Sequence, residues 1–175
     1  MTAPDVPRHP HPTTGRFRFA VVVVSDTRTA ADDRSGPEAC ARIAAAGHEV
    51  AAVRIVPDEP AILRAVLEDA LRDPGVDAVV VHGGTGISGR DNTCGVVREL
   101  LDVALDGFGE LFRWLSWGEV GSAAMLSRAL GGIALGKPLF ATPGSPKAVR
   151  LALDRLILPE IGHIVGELHK HRAPD

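Results

Sequence analysis

Three apolar runs constrain the fold of this 175-residue chain more than any other feature. They span Phe17 to Val24, Glu49 to Val56 and Val76 to His82, and each is rich in β-branched residues. The first run, Phe17 to Val24, is typical of a strand that is buried on both faces of a parallel sheet, and the other two runs are predicted as the second and third strands. Each run also ends in a polar or glycine-rich turn, so we expect these turns to face one crevice at the carboxyl ends of the strands.

Helical patterns separate the predicted strands. Ser35-Gly36-Pro37 supplies N-cap and first-turn signals for a helix that Gly47 ends, and Asp58-Glu59-Pro60 introduces a second helix over residues 59–72. The other predicted elements are helices over residues 93–101, 118–130 and 145–169, the last interrupted near Pro159, and a short strand over residues 138–142. This alternation predicts an α/β fold, a three-layer α/β/α sandwich with a mostly parallel central sheet.

Length and composition indicate one domain preceded by a short tail. A hydrophobic content of 45% is enough for a single sizeable core in a chain of this length. Residues 1–16 contain four prolines and no apolar periodicity, so they are predicted to be a disordered tail, with the domain over residues 17–175.

Charge and cysteine content exclude several classes of function. The 19 basic and 22 acidic side chains give a formal net charge of -3, which argues against nucleic acid as a ligand. No stretch of 18 apolar residues predicts a membrane span, and Cys40 and Cys94 form no Cys-x-x-Cys motif. We therefore expect a cytoplasmic protein with no membrane and no nucleic-acid partner.

The most distinctive motif follows the third predicted strand and reads Gly83-Gly84-Thr85-Gly86-Ile87-Ser88-Gly89-Arg90-Asp91. Glycines let backbone N–H groups approach an anion, and the Thr85 and Ser88 hydroxyls can add donors. The motif predicts a phosphate-binding loop. The alternative is that its glycines only turn the chain from a strand into a helix.

The same loop spells the dinucleotide fingerprint Gly-x-Gly-x-x-Gly from Gly84 to Gly89. In dinucleotide-binding folds an acidic residue ends a second strand about 20 residues further on. Here that distance falls at residues 106–110, where no strand is predicted, and no Gly-Lys-Ser/Thr follows to make a Walker phosphate loop. A nicotinamide cofactor and a Walker-type site are therefore not expected.

Two acidic residues stand where a shared crevice would bring them towards the phosphates. Asp58 and Asp91 each follow a predicted strand by a few residues. Mg²⁺ is usually held by one or two carboxylates together with substrate phosphate oxygens, so this pair predicts a magnesium site. The alternative for both residues is an N-cap of the helix that follows.

Other turns and segments are expected to line the same crevice. Ser25 follows the first strand, and the turn Pro143-Gly144-Ser145 follows the short strand. The segment over residues 112–129 is rich in small residues and carries three further candidate donors to an anionic ligand: Ser122, Ser127 and Arg128. Trp114 and Trp117 in this segment are interpreted as core or interface anchors.

Two reactive residue types near the loop are not expected to act in chemistry. His82, between a strand and the glycines, is predicted to be packed or hydrogen-bonded. Cys94 has no recognisable histidine or carboxylate partner in the sequence, so a thiol nucleophile is not predicted.

With these motifs the chain resembles the MoaB and MogA family of molybdenum cofactor biosynthesis proteins, whose fold also occurs in gephyrin. The resemblance extends from Phe17 to about Gly166. Its motifs are Ser25-Asp26-Thr27-Arg28-Thr29, Asp32-Asp33-Arg34-Ser35-Gly36, Val56-Pro57-Asp58-Glu59, the glycine loop to Asp91, Gly121 to Arg128, and Pro143-Gly144-Ser145-Pro146. The first motif and the Gly121 to Arg128 segment are more similar to the MoaB branch.

This resemblance implies an adenylyltransferase that uses Mg-ATP to place AMP on the terminal phosphate of molybdopterin. The family's two essential acids match Asp58 and Asp91 by motif, with Mg²⁺ binding as their implied role. The implied assembly is a homotrimer or homohexamer. Trp114, Trp117 and Gly118 depart from the family pattern beside the ligand segment. The alternatives are a molybdopterin-binding or carrier protein without turnover, and an assembly scaffold.

Overall fold

A computed structural model describes residues 15–26 and 32–170. Nearly all of the predicted tail, and Thr27 to Thr29 of the first motif, lie outside these residues. The elements are β1 (Arg18–Val24), α1 (Ser35–Ala45), β2 (Glu49–Val56), α2 (Pro60–Arg72), β3 (Ala78–His82), α3 (Thr93–Leu100), β4 (Val103–Ala104), α4 (Asp106–Val120), a 3-10 helix (Gly121–Leu126), β5 (Leu130–Ala134), β6 (Lys137–Thr142), α5 (Pro146–Ala152), a π-helical turn (Leu153–Ile157) and α6 (Leu158–His169).

The central sheet has six strands in the order β2-β1-β3-β6-β5-β4. The four strands from β2 to β6 are parallel, whereas β5 and β4 add an antiparallel edge. The predicted α/β fold with a mostly parallel sheet is therefore confirmed. The carboxyl ends of the four parallel strands point to one edge of the sheet, where the predicted crevice residues lie.

Helices cover both faces of the sheet, as the apolar runs predict. Alternate residues of β1 enter two separate cores: Phe19, Val21 and Val23 pack under α1, α5 and α6, while Ala20 and Val22 pack under α2 and α3. On α2 the core face is a stripe at a spacing of four residues, formed by the fully buried Leu63, Leu67 and Leu71. Burial of each such side chain stabilises the fold by about 1.5–3 kcal/mol.

The helix predicted over residues 118–130 is wrong. The helical segment begins earlier, at Asp106, and ends at Val120, because Gly121 adopts a positive φ of 61°. A 3-10 helix follows, and the chain then enters β5. The run of small residues resembles a packed helix in composition, but Gly131 is required where a Cβ would overlap the ring of Phe140 on the neighbouring strand.

A two-residue turn at Leu135 and Gly136 joins β5 to β6. Both residues have positive φ, 49° and 72°, which is the geometry of the tight hairpin turns that suit the twist of antiparallel strands. Neither this hairpin nor the short strand β4 is predicted by the sequence pattern.

The predicted interruption of the C-terminal helix is confirmed. The π-helical turn over Leu153–Ile157 precedes Pro159, which lies in the first turn of α6. Proline has no N–H to donate into the preceding turn, so the regular hydrogen-bond pattern cannot run through this position. Among the described residues, no helix is both long and apolar enough to cross a bilayer.

Candidate functional site

The ends of the parallel strands are tied together by backbone hydrogen bonds. Ser25 N donates to Val56 O at 2.9 Å, which joins the ends of β1 and β2. Gly83 N donates to Thr142 O at 3.0 Å, which joins the ends of β3 and β6. The strand-end turns therefore form one continuous edge, as the alternating pattern predicts.

The glycine loop approaches its neighbours more closely than a side chain would allow. A Cβ on Gly83 would overlap the carbonyl oxygen of Val24, and one on Gly84 would overlap both Thr93 Oγ1 and Asp58 Oδ2. Both glycines have positive φ, 99° and 61°. These positions therefore need glycine for space as well as for backbone conformation.

Asp58 lies buried at the junction of β2 and α2. Its N–H donates to Asp26 Oδ1 at 2.9 Å, and its Oδ1 accepts from Asn92 N at 3.1 Å. Burial raises the pKa of the Asp58 carboxyl, and the hydrogen bonds from Asn92 oppose this effect. The N-cap interpretation of Asp58 is wrong, because Glu59 occupies that position and the Asp58 carboxylate faces the loop instead.

Asp91 lies at the far end of the glycine loop and is half-buried. Its Oδ2 accepts from Ser88 N at 2.8 Å, and hydrogen bonding from Ser88 lowers the pKa of the Asp91 carboxyl. Arg128 Nη2 donates to the Asp91 carbonyl at 2.5 Å. Asp91 is not the N-cap of α3 either, since Asn92 holds that position.

The two carboxylates are close enough to repel each other, because the negative charge of Asp91 contributes to raising the pKa of Asp58. Across the described ranges, no group of three or more His, Cys, Asp or Glu side chains could hold a metal ion by itself. This donor set suits Mg²⁺, which needs only one or two protein carboxylates when substrate phosphates complete its coordination. The buried Thr93 Oγ1, which has no hydrogen-bond partner among the described residues, adds a further oxygen beside Asp58.

A groove of about 450 Å³ opens on one side of the glycine loop. Of the predicted site residues, its lining contains Gly84, Thr85, Gly86, Asp91, Ser127, Pro143, Gly144 and Ser145. Ser145 Oγ also accepts from Ala148 N at 3.2 Å, so this turn is both a helix cap and a wall of the groove.

Other predicted residues lie outside this groove. Ser25, Gly83 and Asp58 belong to the strand-end edge beside it. Ser88 shapes the loop by donating its N–H to Asp91. Ser122 is exposed on the 3-10 helix and does not line the groove, whereas Arg128 reaches the loop from outside it.

Sequence reasoning missed several contributors. Arg90 donates to Asp26 Oδ2 at 3.0 Å and to Glu59 Oε1 at 3.3 Å, so it fastens the loop across the strand ends. The available signal was the polar run directly after the glycines. Phe112 and Ser116 line the groove from α4, and their spacing of four residues would have indicated a helical face if the helix had been placed correctly.

The exposure of the two tryptophans excludes a core role. Trp114 is 50% exposed and Trp117 is 63% exposed, and neither lines the groove. The core interpretation of these two residues is therefore wrong.

His82 and Cys94 are packed rather than reactive, as predicted. His82 is fully buried, with Nδ1 at 2.6 Å from Thr142 Oγ1. Cys94 Sγ donates to Arg128 O at 3.1 Å, and burial raises the pKa of this thiol to about 11. The raised pKa disfavours the thiolate, which is the nucleophilic form of cysteine.

His82 makes stability depend on pH. Burial lowers the pKa of its imidazole from 6.5 to about 4, so between these values the unfolded chain binds more protons than the folded chain. On acidification from pH 7 to pH 4, the wild type should therefore lose roughly 3 kcal/mol more stability than His82→Asn. Urea denaturation at several pH values checks this, with the exposed His163→Asn as control. Equal pH slopes in wild type and His82→Asn would contradict it.

Asp58 is expected to lower stability at neutral pH. Its raised pKa means that the folded chain holds the proton more tightly than the unfolded chain. The free energy of unfolding therefore falls as the pH rises from the unfolded pKa of Asp58 through its folded pKa. Asp58→Asn keeps an oxygen for the Asn92 N–H but carries no charge, so it should be more stable than wild type at pH 7. The gain should vanish at pH 3. The exposed Asp69→Asn is the control, and a gain that persists at pH 3 would refute this cause.

Comparison with known proteins adds to this geometry. A family model described as a probable molybdopterin binding domain matches residues 20–163. Molybdenum cofactor biosynthesis protein B of Bacillus cereus is 45% identical over 167 residues, which cover 95% of this chain and 99% of that protein.

Two solved structures are also similar. One, a molybdenum cofactor biosynthesis protein B, has 46% identity and a TM-score of 0.87, covering 90% of this chain and 98% of its own. The other, a tungsten cofactor synthesizing protein MoaB from Pyrococcus furiosus, has 36% identity and a TM-score of 0.80, covering 89% and 98%. The similarity therefore spans the glycine loop, both acids and the groove.

Proposed function

The chain belongs to the MoaB family of molybdenum cofactor biosynthesis proteins, and from this we propose that it adenylylates the terminal phosphate of molybdopterin with Mg-ATP. One observation carries the proposal: two carboxylates, Asp58 and Asp91, flank a glycine loop that opens onto a groove of about 450 Å³. A protein that only bound a pterin phosphate would gain little from negative charge at this position, whereas nucleotidyl transfer with a divalent cation requires it.

The proposed reaction joins two phosphates. An oxygen of the molybdopterin phosphate attacks the α-phosphorus of ATP, a new P–O–P bond forms, and the bond from the α-phosphorus to the bridging oxygen breaks. Pyrophosphate leaves with the electron pair of that bond. The nucleophile is the substrate phosphate, which agrees with the raised pKa of the Cys94 thiol and the burial of His82.

The residues of the site have distinct roles in this proposal. Asp58 and Asp91 would hold Mg²⁺, which when bound supplies positive charge that offsets the charge developing on the phosphates. Asn92 orients Asp58 through two hydrogen bonds, one to its carboxylate and one from the Asn92 amide to its carbonyl oxygen. Ser88 orients Asp91. The loop N–H groups are suited to donate to phosphate oxygens.

The groove is the proposed binding site of the second substrate, molybdopterin. Its wall at Pro143 and Gly144 is a rigid turn, and the opposite wall on α4 and the 3-10 helix is largely apolar, with Phe112, Val120 and Leu126. Lys147 also lines the groove and adds a positive charge. Glu119 and Asp91 are acidic residues in the same lining. A mostly apolar slot with a cation at its edge suits a flat heterocycle that carries a phosphate.

Incubation of the protein with molybdopterin and Mg-ATP tests this function. Mass spectrometry should show adenylylated molybdopterin, formed in equal amount to pyrophosphate. Tight binding of molybdopterin without pyrophosphate would identify a carrier instead. Failure to bind either substrate, with capture of a protein partner, would favour a scaffold.

A further inference from the structure

A second cavity, of about 650 Å³, lies between α3, α4 and β5 and shares only Ser127 with the groove. Three arginines line it, Arg98 from α3, Arg113 from α4 and Arg128 from the segment before β5. The groove, by contrast, is lined among the described residues by one basic residue, Lys147, and two acidic residues, Asp91 and Glu119. The two cavities therefore differ in charge.

Arg113 is seated in this cavity by a glycine one turn earlier on α4. Its Nη1 donates to Ser127 O at 3.5 Å and to Ala129 O at 3.3 Å. A Cβ on Gly109 would lie 2.6 Å from Ala129 O, and 3.1 Å from Nη1 and 3.2 Å from Nη2 of Arg113. The missing side chain at Gly109 thus makes room for the Ala129 carbonyl and for the guanidinium that donates to it. Arg113 Nη2 has no acceptor among the described residues, so it can donate to a ligand.

The other two arginines extend the positive wall. Arg128 donates through Nη2 to the carbonyl of Asp91, so the cavity is connected to the glycine loop. Arg98 lies one helical turn after Cys94 and close enough that its charge acts on the pKa of that thiol. Arg98 is exposed, and among residues 15–26 and 32–170 no hydrogen bond or ion pair of its side chain is seen. An unpaired guanidinium in a concave site is well placed to bind an anion.

The other residues that line the cavity are acidic or apolar, and the acidic ones reduce its positive charge. Asp102 and Asp106 also line the cavity, but Asp102 Oδ2 already accepts from Leu135 N at 2.8 Å. Asp106 lies in the first turn of α4, whose positive helix end offsets its charge. Met125 and Leu101 supply apolar contact.

We propose that this cavity, lined by Arg98, Arg113 and Arg128, is a second anion site that binds a phosphate-bearing small molecule, separate from the groove. Guanidinium groups bind phosphate through paired charge-assisted hydrogen bonds, and three of them around one cavity match a diphosphate better than a single phosphate. The phosphate can come from free pyrophosphate or from a nucleotide. Arg128 also donates a hydrogen bond to the Asp91 carbonyl, so an anion bound to Arg128 would affect the position of the glycine loop.

Isothermal titration with inorganic pyrophosphate, without divalent cations, tests this site. Wild-type protein should bind, and Arg98→Gln should bind about ten-fold more weakly, because one charge-assisted contact is lost. Arg98→Lys should retain more affinity than Arg98→Gln. Arg54→Gln is the matched control, since it removes one exposed charge from β2, outside the cavity. It should bind as wild type does.

Further titrations separate the two sources. If ATP competes with pyrophosphate, and if the affinities for both fall by the same factor in Arg98→Gln, the site binds a nucleotide. If pyrophosphate binds and ATP does not compete with it, the site binds the free anion. Unchanged pyrophosphate affinity in Arg98→Gln, or equal weakening in Arg54→Gln, would overturn the proposal. These measurements need no turnover, so their failure is distinct from failure of the adenylyl transfer.

Discussion

Asp91→Asn is expected to slow adenylyl transfer by about two to four orders of magnitude. The reason is that Asn keeps an oxygen for the Ser88 N–H, and so preserves the loop, but removes the charge that would hold Mg²⁺. Pyrophosphate release under saturating substrates measures the effect. Pterin binding should persist, because the groove walls at Pro143 and Phe112 are unchanged.

The matched control is Asp69→Asn, which removes an exposed carboxylate from α2 and should leave the rate unchanged. A wild-type rate in Asp91→Asn would show that the loop acid takes no part in transfer. A loss of folding in Asp91→Asn would show that the charge is structural, which circular dichroism and thermal unfolding detect directly.

Gly84→Ala is expected to lower the free energy of unfolding by about 2–4 kcal/mol and to abolish transfer. Its φ of 61° is strained for any residue with a side chain. The added Cβ would also overlap Thr93 Oγ1 and Asp58 Oδ2, so the loop must move away from the buried carboxylate. Denaturation by urea measures the stability change.

Gly89→Ala is the control within the same loop, because no atom of the described residues lies within 4 Å of its Cβ position. Its stability should stay within about 0.5 kcal/mol of wild type. If Gly84→Ala were as stable and as active as Gly89→Ala, the close approach of the loop to Asp58 would not be required for function.

The sequence predicted the parallel part of the fold because its signals are local. Strands buried on both faces read as continuous apolar runs, and β1 and β3 do so in Val21 to Val24 and Val79 to Val81. The segment from Asp106 to Ala134 was not predictable in the same way. There β5 depends on Gly131 fitting against Phe140, a contact across strands that no local pattern reports.

In the candidate site, too, some features could be predicted from local sequence patterns and others depend on contacts that only the fold brings about. Asp58, Asp91 and the glycine loop could be placed together because parallel strands end at one edge. The hydrogen bonds from Asn92 to Asp58 and from Arg90 to Asp26 could not be predicted from the sequence. They join residues that lie 34 and 64 positions apart, and each involves a side chain whose direction only the fold defines. The arginine-lined cavity was missed because Arg98 and Arg113 lie on helices whose packing only the fold defines.

Pyrophosphate release in a single turnover, with molybdopterin and Mg-ATP each supplied alone and then together, is the decisive measurement for adenylyl transfer by this protein. We predict release only when both substrates and Mg²⁺ are present, with one pyrophosphate for each adenylylated pterin and a loss of at least about a hundred-fold in Asp91→Asn. Molybdopterin that binds to wild-type protein in the presence of Mg-ATP without any pyrophosphate release would contradict the assignment as an adenylyltransferase.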